Sequence, residues 1–236
     1  MKVDTDSEEI PVTRDPEAVR VMFGRIAPRY DRANHILSCG ADFGWRKRAA
    51  RMVAAWQPKQ VLDLAAGSGD LALAIQRQLP EARIVATDFS PEMLDLALRK
   101  GVRETMLADA LNLPFESESF ECVTVSFGLR NMADWNRALR EMARVLAPGG
   151  HALILDFSLP SGFKRALYRF YLHRCLPLLA GIVTGERKAY DYLGGSIEKF
   201  PSGTAMIRLM EDNGFARAKM RSLSGGIAAI YAADRE

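Results

Sequence analysis

Short apolar runs and amphipathic stretches alternate along the centre of the chain. Between Gln60 and Ser158, runs rich in apolar and β-branched residues are followed by segments whose apolar residues recur at helical spacing. The strand-like runs are VLDLA, RIVATDF, ETMLADA, ECVTVSF and HALILDF, and the helical segments are DLALAIQRQL, PEMLDLALRKG and WNRALREMARVL. This alternation predicts a parallel sheet with helices on both faces.

The two ends of the chain follow other patterns. Residues 14–56 predict a helical cover, and residues 160–204 interrupt the alternation with an aromatic, basic segment that we interpret as an inserted lid. Residues 205–236 predict a helix and two closely joined strands, which must pair antiparallel because a parallel pair needs a long crossover. We therefore expect a single α/β domain over 1–236, with the cofactor-binding core at 58–159. A mostly parallel, seven-stranded sheet that ends in an antiparallel hairpin points towards the class I methyltransferase (Rossmann-like) fold.

The composition is that of an ordinary globular protein. The chain has 236 residues, of which 48% are hydrophobic and 26% charged, so disorder, collagen and coiled coil are excluded. The cysteines are odd in number and form no Cys-x-x-Cys pair, which argues against a disulfide scaffold or zinc site. The start MKVDTDSEEIPV lacks the apolar core of a signal peptide. We predict a cytoplasmic protein that needs no metal.

The charge pattern bears on partners. A net charge of +3 does not by itself indicate nucleic acid. Within 163–174 four basic residues stand among aromatic and aliphatic ones without an acid: Lys164, Arg165, Arg169 and Arg174. Such a segment suits contact with anionic lipid at the inner face of the membrane through 163–184. A helix packed on its own domain has the same pattern, so both interpretations stay open, as does a homodimer.

A glycine-bearing turn after the first predicted strand suggests a cofactor site. Asp63 lies near the end of that strand, and Gly67, Ser68 and Gly69 form the turn before the next helix. The spacing Gly67-x-Gly69-x-x-Ala72 also fits a dinucleotide fingerprint. Asp63, however, is placed to pair with the amino-acid ammonium of S-adenosylmethionine, directly or through water, and a dinucleotide has no such cation.

Polar residues also follow the next three predicted strands. Asp88 can accept both ribose hydroxyls, Asp109-Ala110 can recognise the adenine amino group, and Ser126 ends the fourth strand. Because the carboxyl ends of parallel strands meet at one edge of a sheet, these groups should surround one crevice. Met93 and Leu111 are candidate apolar walls for the adenine. S-adenosylmethionine is the cofactor predicted, and a nicotinamide dinucleotide is the weaker alternative.

Longer motifs narrow the family. The chain contains RYDRANHILSCGADFGWR at 29–46, VLDLAAGSGDLA at 61–72, FGLRNMADWNRALREMARVLAPGGHALILDFS at 127–158, YDYLGGSIEKFP at 190–201 and SGGIAAIYAA at 224–233. With these motifs it resembles the ubiquinone/menaquinone biosynthesis C-methyltransferase family from about Met22 to Ala233. Two departures stand near the substrate side: Asp42, where histidine is typical of the family, and Asp156, where glutamate is usual.

The resemblance implies methyl transfer to a ring carbon of a prenylated hydroquinone. The expected reaction converts demethylmenaquinol to menaquinol, and 2-polyprenyl-6-methoxy-1,4-benzoquinol is the alternative ring. Another lipid or aromatic small molecule is a further alternative acceptor. A non-catalytic component that binds S-adenosylmethionine within a quinone-synthesis complex is the alternative from another class.

Four residues are candidates for the chemistry. Arg130 follows the fourth predicted strand, and its permanent charge suits it to hold a phenolate or orient a water. In the alternative interpretation Arg130 pairs with one of the clustered acids and only shapes the pocket. Asn131 is expected to bond a ring oxygen or the cofactor. Tyr30 and Asp31, in the N-terminal motif, are candidate substrate contacts.

Overall fold

A single sheet of seven strands is the framework of the protein, seen in a computed structural model that describes residue 38, residues 40–176 and residues 187–236. The strands are β1 (Gln60–Leu64), β2 (Arg83–Asp88), β3 (Glu104–Leu107), β4 (Phe120–Ser126), β5 (Leu146–Phe157), β6 (Phe215–Leu223) and β7 (Ala228–Arg235). Their order is β3-β2-β1-β4-β5-β7-β6. The first five run parallel, whereas β7 pairs antiparallel with both β5 and β6. The predicted fold class is thus confirmed.

Seven α-helices surround the sheet within the described residues. They are α1 (Ala41–Trp56), α2 (Asp70–Gln78), α3 (Pro91–Lys100), α4 (Trp135–Val145), α5 (Phe163–Phe170), α6 (Arg187–Lys199) and α7 (Thr204–Glu211). Short 3-10 turns lie at Leu129–Asn131 and Ser224–Gly226, and α5 continues into a π turn. Local signals set several helix ends. In α3, for example, the Ser90 hydroxyl caps the Met93 N–H, Pro91 is the first residue, and Gly101 ends the helix.

Apolar side chains cover both faces of the sheet. Along β4, Val123 contributes to the core beneath α4 and α7, whereas Cys122 contributes to the core beneath α1 and α2. This alternation is the period-two pattern of a strand with both faces buried. The helices predicted on the two faces are therefore observed, and each covers one layer of the core.

The Pro148-Gly149-Gly150 turn lies inside β5, although the strand-like run HALILDF begins only at His151. Leu146 already pairs with Phe120, and pairing resumes between His151 and Cys122, so the turn bulges out of the ladder. A side chain at Gly150 would lie 2.8 Å from the Ala147 carbonyl oxygen. Glycine is needed there because the bulge brings two backbone segments together.

The predicted lid is only partly described. Tyr168, Leu172 and Leu176 of its first helical segment pack with Ile197 of α6 and form a small apolar cluster. The opposite side of α5 is exposed. No helix in the described parts of the chain combines the length and apolar character required to cross a membrane. Tyr30 and Asp31, in the first part of the motif at 29–46, lie outside the described residues.

Candidate cofactor and acceptor site

A cleft of about 270 Å³ opens at the carboxyl ends of β1, β2, β3 and β4. Nine of the predicted site residues line it: Gly67, Ser68, Asp88, Met93, Asp109, Ala110, Leu111, Ser126 and Asn131. Three others do not belong to its wall, namely Asp63, Gly69 and Arg130. The geometry around each group explains the difference.

Asp88 connects the glycine turn to the end of β2. One of its carboxylate oxygens accepts the Gly67 N–H at 2.8 Å, and the other accepts the Ser90 N–H at 3.0 Å. Burial raises the pKa of Asp88, and these backbone hydrogen bonds oppose that effect. A carboxylate oxygen can accept two hydrogen bonds, so Asp88 retains acceptor capacity for a diol in the cleft.

Gly69 has a packing role behind the turn. Its φ of +80° lies in the left-handed region, and an added Cβ would lie 2.5 Å from Cγ2 of Val102. Gly69 therefore allows the start of α2 to approach the segment after α3. Gly69 does not line the cleft, so its predicted contact with the cofactor stays a prediction.

Asp63 is completely buried beside β4. Its Oδ1 accepts a hydrogen bond from the Thr124 hydroxyl at 2.7 Å, and its Oδ2 has no hydrogen-bond partner among the described residues. Burial raises the pKa of Asp63 to about 7, and Arg46 acts in the opposite direction. The predicted pairing of Asp63 with the ammonium group is thus not a contact at the cleft wall, and it stays a prediction.

The β3 side of the cleft has the features expected for an adenine. Met93 and Leu111 supply apolar walls, and Asp109 lies beside them. The Asp109 carboxylate accepts the Leu111 N–H at 2.8 Å, which fixes the turn after β3. Asp88, at the end of β2, is the neighbouring polar group, so the residues predicted to contact the ribose and the adenine follow one another in strand order along the cleft.

Arg130 forms a buried ion pair with Asp156. Its Nη1 lies 2.8 Å from Oδ1 of Asp156, and the two side chains are 4% and 0% exposed. Burial raises the pKa of Asp156, while the Arg130 guanidinium opposes the rise. The observed partner differs from the acids at the ends of β1 to β3 that the sequence suggested. The geometry favours the structural interpretation of Arg130 because its charge is already paired away from the cleft.

The Arg130 side chain also fixes the backbone that precedes it. Nη1 donates to the Phe127 carbonyl oxygen at 2.5 Å, and Nδ2 of Asn131 lies 3.4 Å from the same oxygen. Phe127 has φ +57°, a left-handed conformation that costs free energy for an aromatic residue. Phe127 and Asn131 both line the cleft, and Oδ1 of Asn131 has no partner in the described structure. Of the two predicted catalytic candidates among the described residues, Asn131 is thus the one that lines the cleft.

Arg46 is a cleft residue that the sequence analysis did not identify. It extends from α1, and its Cζ lies 5.2 Å from the centre of the Phe127 ring. Asp42, one helical turn earlier, pairs with it at 2.5 Å. The i,i+4 spacing of these two charges was the available signal, but the same spacing is common on solvated helix faces.

Comparison with known proteins identifies a family over almost the whole chain. Residues 11–235 match the model of the ubiE/COQ5 methyltransferase family. The demethylmenaquinone methyltransferase of Thermus thermophilus is 46% identical over 91% of this chain and 100% of its own length. That of Deinococcus radiodurans is 43% identical over 93% of each chain. The ubiquinone/menaquinone biosynthesis C-methyltransferase UbiE of Geobacter sulfurreducens is 42% identical over 95% of this chain and 91% of its own.

Solved structures support the fold. A SAM-dependent methyltransferase from Thermotoga maritima superposes with a TM-score of 0.68 at 19% identity, covering 92% of this chain and 99% of its own. Human N-acetylserotonin methyltransferase, solved with SAM, gives a TM-score of 0.56 at 17% identity, covering 79% of this chain and 51% of its own. At these identities the similarity concerns the architecture alone.

Proposed function

The chain belongs to the ubiE/COQ5 methyltransferase family, and we propose that it transfers the methyl group of S-adenosylmethionine to a ring carbon of demethylmenaquinol. The observation that carries the choice of ring is the similarity to two demethylmenaquinone methyltransferases over nearly their whole lengths. Methylation of 2-polyprenyl-6-methoxy-1,4-benzoquinol is the second candidate, because other relatives carry the name ubiquinone/menaquinone biosynthesis C-methyltransferase.

S-adenosylmethionine is the cofactor, and the cleft fits it. Asp88 retains acceptor capacity for the ribose hydroxyls, and Met93 and Leu111 border the adenine position. When bound, the cofactor supplies an electrophilic methyl group on a sulfonium, which is already a good leaving group. The protein must therefore position the acceptor carbon in line and favour the ionised ring hydroxyl.

We assign different roles to the two neighbours that follow β4. Asn131 lines the cleft with an unpaired amide oxygen, so it is our proposed contact with a ring hydroxyl or the cofactor. Arg130 has a structural role in this proposal, because its ion pair with Asp156 and its bond to the Phe127 carbonyl stabilise the fold beside the turn at Leu129–Asn131. Tyr30 and Asp31 stay our proposed acceptor contacts from the N-terminal motif.

Product analysis tests the acceptor. The protein is incubated with S-adenosylmethionine carrying a 13C-labelled methyl group and with equal amounts of a short-tailed demethylmenaquinol and a short-tailed 2-polyprenyl-6-methoxy-1,4-benzoquinol, both kept reduced. We expect mass spectrometry to find the label on the naphthoquinol ring. Label on the benzoquinol alone would establish the second candidate. Label on neither, with cofactor binding shown by calorimetry, would point to another acceptor or to a non-catalytic binding protein.

We also propose that the enzyme is cytoplasmic and that α5 places it at the anionic inner face of the membrane, where a prenylated acceptor resides. Phe163, Leu167 and Phe170 recur at helical spacing along α5 and are 82%, 67% and 59% exposed. Basic side chains accompany this apolar stripe: Lys164, Arg165, Arg169 and Arg174. Arg169 is partly neutralised by Glu198 at 2.6 Å, so the remaining three carry most of the charge. This combination is typical of helices that lie in a membrane interface.

Liposome sedimentation tests the docking of α5. Wild-type protein should bind vesicles of phosphatidylglycerol and phosphatidylcholine, and binding should fall at high salt because the electrostatic attraction is screened. Leu167→Ser should weaken binding, whereas Leu107→Ser, at a residue 59% exposed on β3, should not. Equal binding to pure phosphatidylcholine vesicles, or equal loss in the two variants, would contradict the proposal.

A further inference from the structure

We propose that Arg46 binds the α-carboxylate of the methionine portion of S-adenosylmethionine. The proposal rests on three features: the end of the cleft at which Arg46 lies, the charges of the other cleft residues, and the hydrogen-bonding state of its guanidinium. It requires only that the cleft holds this cofactor, so it is independent of which acceptor ring is methylated.

The strand order determines the direction of the cofactor in the cleft. Asp109 follows β3, Asp88 ends β2, and Ser126 ends β4 on the other side of β1. With the adenine at β3 and the ribose at β2, the amino-acid portion must extend towards β4. Arg46 lies at this end, because its Cζ is 5.2 Å from the ring centre of Phe127, the residue after β4.

The other charged residues in the cleft repel a carboxylate. Asp88 and Asp109 line it, and so does Asp70, whose charge is compensated by an ion pair with Lys100. The fully buried Asp63 lies within the electrostatic range of Arg46. Among the described residues, Arg46 is the cation of the cleft wall. The cofactor's amino-acid group carries one positive and one negative charge. The acids suit the ammonium, and the carboxylate needs a cation at the same end.

The Arg46 guanidinium has one nitrogen in an ion pair and another that is buried without a partner among the described residues. Its Nη1 donates to Oδ2 of Asp42 at 2.5 Å, and the Ser38 hydroxyl donates to Oδ1 of the same carboxylate at 2.7 Å. These contacts hold the guanidinium in place. Its Nε is buried and has no partner among the described residues, an arrangement that costs free energy unless a ligand supplies an acceptor. The edge that carries Nε matches the two oxygens of a carboxylate.

Calorimetry with two ligands isolates this contact. The first ligand is S-adenosylhomocysteine, and the second is its decarboxylated analogue S-adenosyl-3-thiopropylamine, which keeps the adenosine, the sulfur and the ammonium. Wild-type protein should bind the first about 10- to 100-fold more tightly, as expected for a charge-assisted contact. Arg46→Met should abolish this preference by weakening S-adenosylhomocysteine alone, and the affinity for the analogue should stay within about twofold.

Two further variants complete the design. Arg46→Lys keeps a positive charge but not the planar edge, so it should retain part of the preference. Arg48→Met removes an exposed arginine from the same helix and should bind both ligands like the wild type. The decarboxylated analogue itself reports whether the cleft is intact in each variant.

Each outcome decides the proposal. Selective loss for S-adenosylhomocysteine in Arg46→Met, with partial retention in Arg46→Lys, supports a carboxylate contact. Unchanged affinity for S-adenosylhomocysteine, or equal weakening of both ligands in both variants, overturns it. In the second case Arg46 would only maintain the shape of the cleft. Failure of the demethylmenaquinol assay would leave these binding results unaffected.

Discussion

Replacing Arg130 with methionine separates the two roles that its position allows. The substitution keeps most of the side-chain volume but leaves the Asp156 carboxylate fully buried and without its cation. It also removes the hydrogen bond from Nη1 to the Phe127 carbonyl oxygen. If Arg130 only pairs with Asp156, the variant should lose much of its stability. If Arg130 acts directly on a phenolate, the variant should lose much of its methyl-transfer rate.

The expected destabilisation follows from burial. Removing one partner of a buried ion pair costs about 3–5 kcal/mol, because the remaining charge is uncompensated. In a chain of this size each kcal/mol lowers Tm by about 2–4 °C. We therefore expect Arg130→Met to melt about 6–20 °C below the wild type. The difference should shrink at acid pH, because burial raises the pKa of Asp156 and a protonated carboxyl is less costly to bury.

Calorimetric melting, cofactor affinity and single-turnover rate are measured on the same preparations. Arg83→Met is the matched control, because Arg83 pairs with Glu104 at a surface where the two side chains are 52% and 38% exposed. Its free energy of unfolding should change by less than about 1 kcal/mol. Arg130→Met/Asp156→Leu should recover much of the lost stability by removing the orphaned charge.

The single-turnover rate tests whether Arg130 has a structural or a catalytic role. Under conditions where Arg130→Met is folded and saturated with S-adenosylmethionine, we expect a single-turnover rate close to that of the wild type. A normal Tm together with a rate reduced by about 10²–10³ would refute our interpretation. It would show that Arg130 contacts the developing phenolate.

Three further predictions concern the cleft and its supports. Asp88→Ala should weaken S-adenosylmethionine about 10- to 100-fold in calorimetry, and unchanged affinity would place the ribose elsewhere. In the unliganded protein, the pKa of Asp63 near 7 makes the free energy of unfolding decrease as pH rises from about 4 to 7; urea titrations should show a smaller decrease in Asp63→Asn. Gly69→Ala should lower Tm, since its Cβ would lie 2.5 Å from Val102. Gly44→Ala, in α1 with no described atom within 4 Å of the new Cβ, should not.

The strand order and its ligand edge could be predicted because both depend on local patterns. Alternating strands and helices determine the parallel core, and the carboxyl ends of its strands necessarily share an edge. Asp88, Asp109 and Ser126 therefore reach the cleft as expected. The bulge in β5 could not be predicted in this way, because it depends on how Leu146 and His151 pair with a different strand.

The side-chain contacts of the site depend on tertiary structure that the motifs do not contain. Asp63 belongs to a predicted motif, yet it turns to Thr124 on the neighbouring strand and not to the cleft wall. Arg130 pairs with Asp156, which is 26 positions away in sequence. Arg46 reaches the cleft only because α1 places it beside Phe127. Periodicity indicates which face of an element is buried, but it does not indicate which residues of other elements contact that face.

Phe127 connects the two departures from the family pattern. The Arg46 and Arg130 guanidinium carbons lie 5.2 Å and 6.0 Å from its ring centre, and their carboxylate partners are Asp42 and Asp156. Histidine at 42 would weaken the ion pair that orients Arg46, and glutamate at 156 would add a methylene to a fully buried site, at a cost of about 1–3 kcal/mol. Both aspartates thus act on the residues that hold Phe127 at the cleft. We therefore expect Asp42→His and Asp156→Glu to change the cofactor affinity or the stability of the protein, and to leave the choice of ring unchanged.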